Sequence, residues 1–246
     1  VPGLAGEFLS VAICNLTWPT KGLEVLGRVL DDLELELLAA TPIAQAVAAA
    51  LPMPDAILVD IGQEHTEVAL AERGALSALA TLPMGGQFFT QNLTRYLRLS
   101  EKHAELVKQR RSRERAASET NPVERVLVRA AQRWLQALEQ KLLELAGDAP
   151  LPPRICLYGG GAQLPQLLDQ LRAHPWPRRL PFDRHPVVER LLPHQLRRLY
   201  DPRGLLYASA HVGLAALAVW AGHDPSPLQR RLNTLTARIA PANGLA

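Results

Sequence analysis

Two apolar runs in this chain end at residues able to hold a phosphate or a sugar edge. Ala56-Ile57-Leu58-Val59-Asp60-Ile61-Gly62 closes on an aspartate and a glycine, and Ile155-Cys156-Leu157-Tyr158-Gly159-Gly160-Gly161-Ala162 closes on consecutive glycines. An apolar run that stops at small residues is how a strand delivers a loop to an anion. A carboxylate at Asp60 suits Mg²⁺ held through water, because Mg²⁺ keeps much of its hydration and takes few protein ligands. An aspartate there also suits a plain turn cap. Gly159, Gly160 and Gly161 remove consecutive side chains, so backbone can approach a ligand and adopt positive φ before a helix begins. Gly85-Gly86 and Ala104-Glu105-Leu106-Val107-Lys108 lie between the two runs. That order is more specific than either run alone.

The elements that must position these residues are legible from periodicity. Residues 7–14 read as a strand, Thr20 opens a helix with Leu23, Leu26, Val29 and Leu30 at helical spacing, and 33–39 read as a second strand. Thr41-Pro42 opens an alanine-rich helix to about Leu51. From Ala56 a meander follows: strands to Ile61, from Thr66 to Glu72, and from the Arg73-Gly74 turn to about Met84. Helices are predicted over Gln87–Arg98 and Glu101–Arg111. A long one opens at Asn121-Pro122 with Val126, Ala130, Trp134, Leu138, Leu142 and Leu145 as its stripe, and Gly147 ends it. A strand at Arg154–Tyr158 and a helix at Leu164–Ala173 complete the second run. Residues 174–186, rich in proline and arginine, read as irregular, and the chain from Asp224 on reads as a surface tail.

At 246 residues and 48% hydrophobic content the chain can bury a real core, as one large domain or two lobes. A net charge of +3 says little about partners, so the placement of arginines matters more. They cluster at 108–133 and 178–203, first of all as solvated helix faces and loops. Cys14 and Cys156 lie in apolar stretches and read as small core residues in a reducing compartment, and no histidine or cysteine pair has metal-ligand spacing. The long uncharged run from Gly204 to His223 reads as a helix buried in a core, because alanine, Ser209, His211 and two glycines dilute it. A start at Val1 with no basic and apolar leader suggests a piece of a longer protein.

The order Asp-Ile-Gly with Thr66 and Glu67, a meander, Met-Gly-Gly with Thr90, Ala-Glu-x-x-Lys and Gly-Gly-Gly-Ala-x-Leu-Pro resembles the actin-like ATPases of the FtsA and PilM group, over about residues 20–222. The resemblance implies an α/β fold of the actin-like, ribonuclease H-like kind, a mixed sheet with flanking helices and an incomplete N-terminal lobe. It implies that residues 1–55 are the remainder of a first lobe, and 56–203 a second lobe with a reduced helical subdomain near 100–150. Residues 204–222 would then be a helix packing back on the first lobe, before a tail at 223–246. It also implies nucleotide contacts from Asp60, Gly62, Thr66, Gly85, Gly86, Glu105, Lys108, Gly159, Gly160 and Gly161, with Asp60 holding Mg²⁺ through water. Where the family loop continues glycine, glycine, threonine, threonine, aspartate, this chain has Gln63-Glu64-His65-Thr66-Glu67. A carboxylate at Glu64 about 4 Å from a γ-phosphate repels it by roughly 1 kcal/mol in water and about 4 kcal/mol at an effective dielectric of 20. No second Asp-x-Gly hairpin for a first phosphate loop is found in the sequence.

Three functions follow as expectations. The first is a cytoplasmic ATP-binding scaffold of a membrane-associated assembly, FtsA-like and with weak or no hydrolysis, with a PilM-like role in type IV pilus assembly as its alternative. Its partners would be a cytoplasmic peptide segment of a division or pilus protein, further copies of itself, and the inner face of the plasma membrane. The second is a sugar or acetate kinase of the same wider fold, which needs a carboxylate base beside the transferred phosphoryl group; residues 1–55 offer no polar cluster for it. The third, nucleic-acid binding through Arg110–Arg133, lacks interleaved aromatics to stack bases, so no nucleic acid is expected. No residue is assigned as a catalytic base.

Overall fold

A computed structural model describes residues 20–35, 40–113, 121–173 and 175–222. Its centre is a five-stranded mixed sheet of β1 (Ala56–Ile61), β2 (Thr66–Glu72), β3 (Ala75–Leu82), β4 (Arg154–Tyr158) and β5 (Val187–Arg190), in the order β3-β2-β1-β4-β5. β1 pairs antiparallel with β2 and parallel with β4, and β4 pairs parallel with β5. β1 is apolar from Ala56 to Val59 because it is central and covered on both faces, and Asp60 interrupts it only at its carboxyl end.

Alternation along β1 sorts the core into two layers. Ile57, Val59 and Ile61 pack with α3 (Gly86–Leu97), α5 (Pro122–Ala146) and α6 (Pro165–Ala173). Ala56 and Leu58 pack with α2 (Ile43–Ala50) and α7 (Val212–Ala221) on the other face. Both α2 and α7 therefore lie on the same sheet. α1 (Thr20–Asp32) buries none of its residues, and α4 (Glu101–Arg113) borders α3.

The long helix α5 does most to hold the first layer. Asn121 caps it by accepting the Val123 amide at 2.9 Å, Pro122 fits its first turn, and Gly147 ends it at φ +53°. Its buried stripe includes Leu127, Ala131 and Leu135 beside Ala130, Trp134, Leu138 and Leu142, whereas Val126 and Leu145 are only partly covered. Cys156 is buried, and burial followed by the Glu189 carboxylate pushes its thiol up to about 12, so it is a packing residue.

The fold departs from the sequence reading in four places. Leu33 and Glu34 form a turn with Glu34 at φ +54°, not the start of a strand; residues 36–39 and the strand expected at 7–14 lie outside the described residues. Of the segment 174–186, residues 175–186 are less irregular than expected, since Trp176–Arg179 form a 3-10 turn and Phe182 bridges to Leu151, and residue 174 lies outside the described residues. β5, missed in the arginine-rich segment, is recruited by pairing with β4, a tertiary preference that local composition does not carry. The uncharged run is α-helical only over Val212–Ala221, after a 3-10 turn at Ser209–His211, because the Asp201 carboxylate accepts the Leu205 and Leu206 amides and Gly204 turns at φ +61°. Among the described residues no helix is long and apolar enough to cross a membrane.

Trp134 is fully buried and its indole N–H donates to Thr66 Oγ1 at 3.1 Å. Trp134→Ala is expected to destabilise the protein by about 3–5 kcal/mol, the range for emptying a large aromatic site, read as a lowered urea midpoint.

Candidate functional site

The carboxyl ends of β1 and β4 lie side by side, and glycines make that approach feasible. A Cβ on Gly159 would sit 2.3 Å from Asp60 Oδ1, and one on Gly161 would sit 2.3 Å from Ile61 Cγ2. Gly159 also adopts φ +85°, donates its amide to the Ser209 carbonyl at 3.0 Å and accepts the Ser209 hydroxyl at 3.1 Å. A Cβ on Gly160, by contrast, would meet open space.

The β1–β2 loop is fastened to the start of α3. Carbonyls of Gly62, Gln63 and Glu64 accept the amides of Gly86, Gln87 and Gly85 at 2.8, 2.7 and 3.1 Å. These are amides a helix N-terminus otherwise leaves open. A Cβ on Gly85 would fall 2.5 Å from the Gln63 carbonyl oxygen, so Gly85 is a packing requirement. Residues 63–65 stay exposed.

A cation cluster closes one wall. Lys108 Nζ donates to the Gly86 carbonyl at 2.9 Å and Thr90 Oγ1 at 2.8 Å, and pairs with Glu105 Oε2 at 2.7 Å. Thr90 donates to that same Glu105 oxygen at 2.6 Å. Burial raises the Glu105 carboxyl, but hydrogen bonds from Lys108 and Thr90 outweigh it and hold the group below its ordinary range.

These elements enclose a cavity of about 700 Å³. Gly62, Gly86, Glu105, Lys108, Gly160 and Gly161 all line it. The other expected residues do not. Thr66 is fully buried, its hydroxyl donating to the Met84 carbonyl at 2.7 Å and accepting from Trp134, so its side chain is turned into the core and away from the cavity. Gly85 lies under the loop, and Gly159 lies beneath the turn against Asp60. Asp60 alternates onto the α2 and α7 face, opposite Glu67 on β2 and Tyr158 on β4. Among the described residues no cluster of three or more acidic, histidine or cysteine side chains could hold a metal.

Sequence reasoning missed Gln109 and Ser112, which also line the cavity. Their spacing from Glu105 and Lys108 was the available signal, since 105, 108, 109 and 112 share one helix face. It also misread part of the arginine cluster. Arg111 is 5% exposed and pairs with Glu124 at 2.7 Å, which in turn accepts Gln166 Nε2 at 2.9 Å, tying α4 to α5 and α6.

A mixed sheet carrying this cavity at its carboxyl edge is decisive when joined to one comparison. The family model for the cell division protein FtsA matches residues 57–210. The chain belongs to the FtsA family. Its fold is that of the actin-like ATPases, as the resemblance implied. Similar solved structures include the ethanolamine utilization protein EutJ from Carboxydothermus hydrogenoformans, at 21% identity and TM-score 0.57, covering 89% of this chain and 62% of that one. The PilM-PilN type IV pilus biogenesis complex matches at 20% identity and TM-score 0.56, covering 80% and 58%. MreB5 of Spiroplasma citri bound to ADP matches at 17% and 0.57, covering 82% and 65%. The FtsA-family chain thus spans less than two thirds of the length of each of these relatives. No curated protein matches it significantly.

Two predictions follow from this edge. Gly159→Ala should destabilise the protein by roughly 2 kcal/mol or more through positive φ and the Asp60 contact, while Gly160→Ala should leave the melting temperature nearly unchanged. Burial, then the charge of Glu67, push the Asp60 carboxyl up to about 6, with His65 pulling the other way. The unfolded chain titrates this group near ~3.9, so its stability contribution is complete below about pH 4 and lost as pH rises through about 6. The loss is on the order of 3 kcal/mol at 1.36 kcal/mol per unit. Asp60→Asn should therefore flatten the fall in urea midpoint between pH 5 and pH 7.5 and be the more stable form at the higher pH.

Proposed function

We propose that this FtsA-family protein is an actin-like scaffold that binds an adenine nucleotide in the 700 Å³ cavity and turns it over weakly or not at all. The observation that carries the reading is the convergence there of Gly62, Gly86, Glu105, Lys108, Gly160 and Gly161 from three separate stretches of sequence. A nucleoside suits the cavity on two grounds. The Gly160 backbone is bare on one side, and Gln109 and Ser112 offer neutral hydrogen-bonding groups on the other. The phosphates would run toward Gly62 and the exposed 63–65 loop. There α3 offers no free N-terminal amides and Glu64 adds a negative charge.

Mg²⁺ does not fit Asp60 as a partner to phosphates in this cavity, because the Asp60 side chain lies outside the lining and against the turn at Gly159. The wider reading follows from the family. In this reading 56–203 is an actin-like lobe with a reduced helical subdomain near 100–150, and α2 and the helix within 204–222 cover the far face of its sheet. The whole serves a division assembly at the inner face of the plasma membrane, by docking a cytoplasmic peptide of another division protein and by self-association. The FtsA family match favours division over pilus assembly.

Calorimetric titration of the full chain with adenosine, ADP and ATP, with and without Mg²⁺, tests the proposal. Binding of all three is expected, with Glu64→Gly tightening ATP about ten-fold or more and leaving adenosine unchanged. Absence of binding by any of them would sink the nucleotide reading.

A further inference from the structure

α1 leaves its apolar stripe largely open. Leu23, Leu26, Leu30 and Leu33 recur at heptad spacing, Val25 and Leu33 are 60% and 61% exposed, and no residue of the helix is buried. A helix of 13 residues is marginal in water by itself, so this stripe needs a second surface. The charges of α1 set a further condition on that surface. Asp31, Asp32 and Glu34 stand at its carboxyl end, where the helix dipole is already negative, and no basic residue lies in its last turn.

One segment of the same chain, outside the described residues, answers both conditions. Leu228, Leu232, Leu235 and Ile239 repeat the heptad stripe after Ser226-Pro227, a cap followed by proline in the first turn. Arg230, Arg231 and Arg238 lie among them, and no acidic residue occurs from 225 to 246. The longer undescribed stretches elsewhere do not fit. Residues 1–19 and 36–39 carry only acidic charges, Glu7 and Glu36, and 114–120 holds no large apolar side chain. A second copy of α1 would set acid against acid. Reach fixes the direction: Val219 and Trp220, late in α7, line one cavity with Ala49 and Ala50 at the end of α2, a helix of 8 residues and therefore about 12 Å long. Residues 222–227 can span up to about 20 Å, enough to return along α2 to the end of α1 that leads into it. We infer that residues 228–239 dock antiparallel on α1 of the same chain, with Leu232 beside Leu30, Ile239 beside Leu23, Arg231 level with Asp31 and Arg238 level with Glu24. Tethering holds this segment at an effective concentration of about the millimolar range, which favours it over a separate molecule.

Hydrogen–deuterium exchange of the full chain tests this, with the amides of β1 and β4 as the reference for a folded protein. Leu232→Glu with Leu235→Glu should speed exchange over residues 20–33 about ten-fold or more. Val29→Glu with Leu33→Glu, at exposed positions that leave the fold intact, should do the same over residues 228–239. Arg231→Glu should loosen both segments, and Asp31→Arg added to it should restore their protection. Exchange over 20–33 that the substitutions at 232 and 235 leave unchanged overturns the inference, by giving α1 another cover such as residues 1–19. Protection that grows with protein concentration also overturns it, by making a second copy the occupant, and failure of Asp31→Arg to restore protection overturns the antiparallel placement.

Discussion

The close approach of two strand ends is the constraint on which the site depends. β1 and β4 are parallel neighbours, so their carboxyl ends emerge at the same edge, but each must then turn away without colliding. Asp60 and Ile61 occupy the space that side chains at 159 and 161 would need. Glycine at both positions lets the turn after β4 lie on the end of β1, and Gly160 between them is left facing outward with nothing above it. The cavity is one outcome of this arrangement. The other is the burial of Asp60, whose carboxylate loses hydration because the neighbouring turn sits on it.

A similar economy governs the loop after β1. Its carbonyls satisfy the open amides at the start of α3, so helix and loop hold each other without a side-chain cap. Thr66 then anchors the loop's far end to Met84 and, through the Trp134 indole, to α5. Each of these contacts links chain segments distant in sequence. Loop position is thereby coupled to the packing of the first core layer. This fixes the side of the cavity formed by the β1–β2 loop and leaves the exposed side chains of Gln63, Glu64 and His65 as its unanchored part.

Much of this was legible in the residues because the signals are local. The strands of the meander, the capped and glycine-terminated α5, and the order of glycine motifs depend on periodicity and turn chemistry, which a sequence displays directly. β5 was not, since four residues set among arginines and prolines become a strand only when β4 offers an edge. Thr66 shows a subtler gap. Its place after Asp-x-Gly marks a ligand contact in the family pattern, yet whether a hydroxyl points to the cavity or to an indole depends on α5, more than sixty residues away. Asp60 likewise belongs to the right edge, but alternation along β1 turns its side chain to the face opposite the cavity.

Lys108 bears most directly on what the cavity can do. An ammonium group has three donors, and here Gly86, Thr90 and Glu105 accept all of them. A lysine so engaged is a brace that fixes α4 against α3, and it could reach a phosphate only by giving up bonds already made inside the protein. The pairing with Glu105 also cancels its charge within the wall, so the cavity gains little attraction for a triphosphate from it. What else lines the cavity is backbone at Gly160 and Gly161, the neutral Gln109 and Ser112, and the exposed Glu101, Lys102 and Arg113 at the two ends of α4. Glycine backbone and neutral side chains read the shape and hydrogen-bonding edge of a ligand, while the exposed charges at the ends of α4 lie at its rim, where water screens them. The proposed role, a nucleotide held to set the shape of a scaffold, asks no more than this, whereas cleavage requires developing charge to be met by groups not already spent on the fold, as Lys108 is.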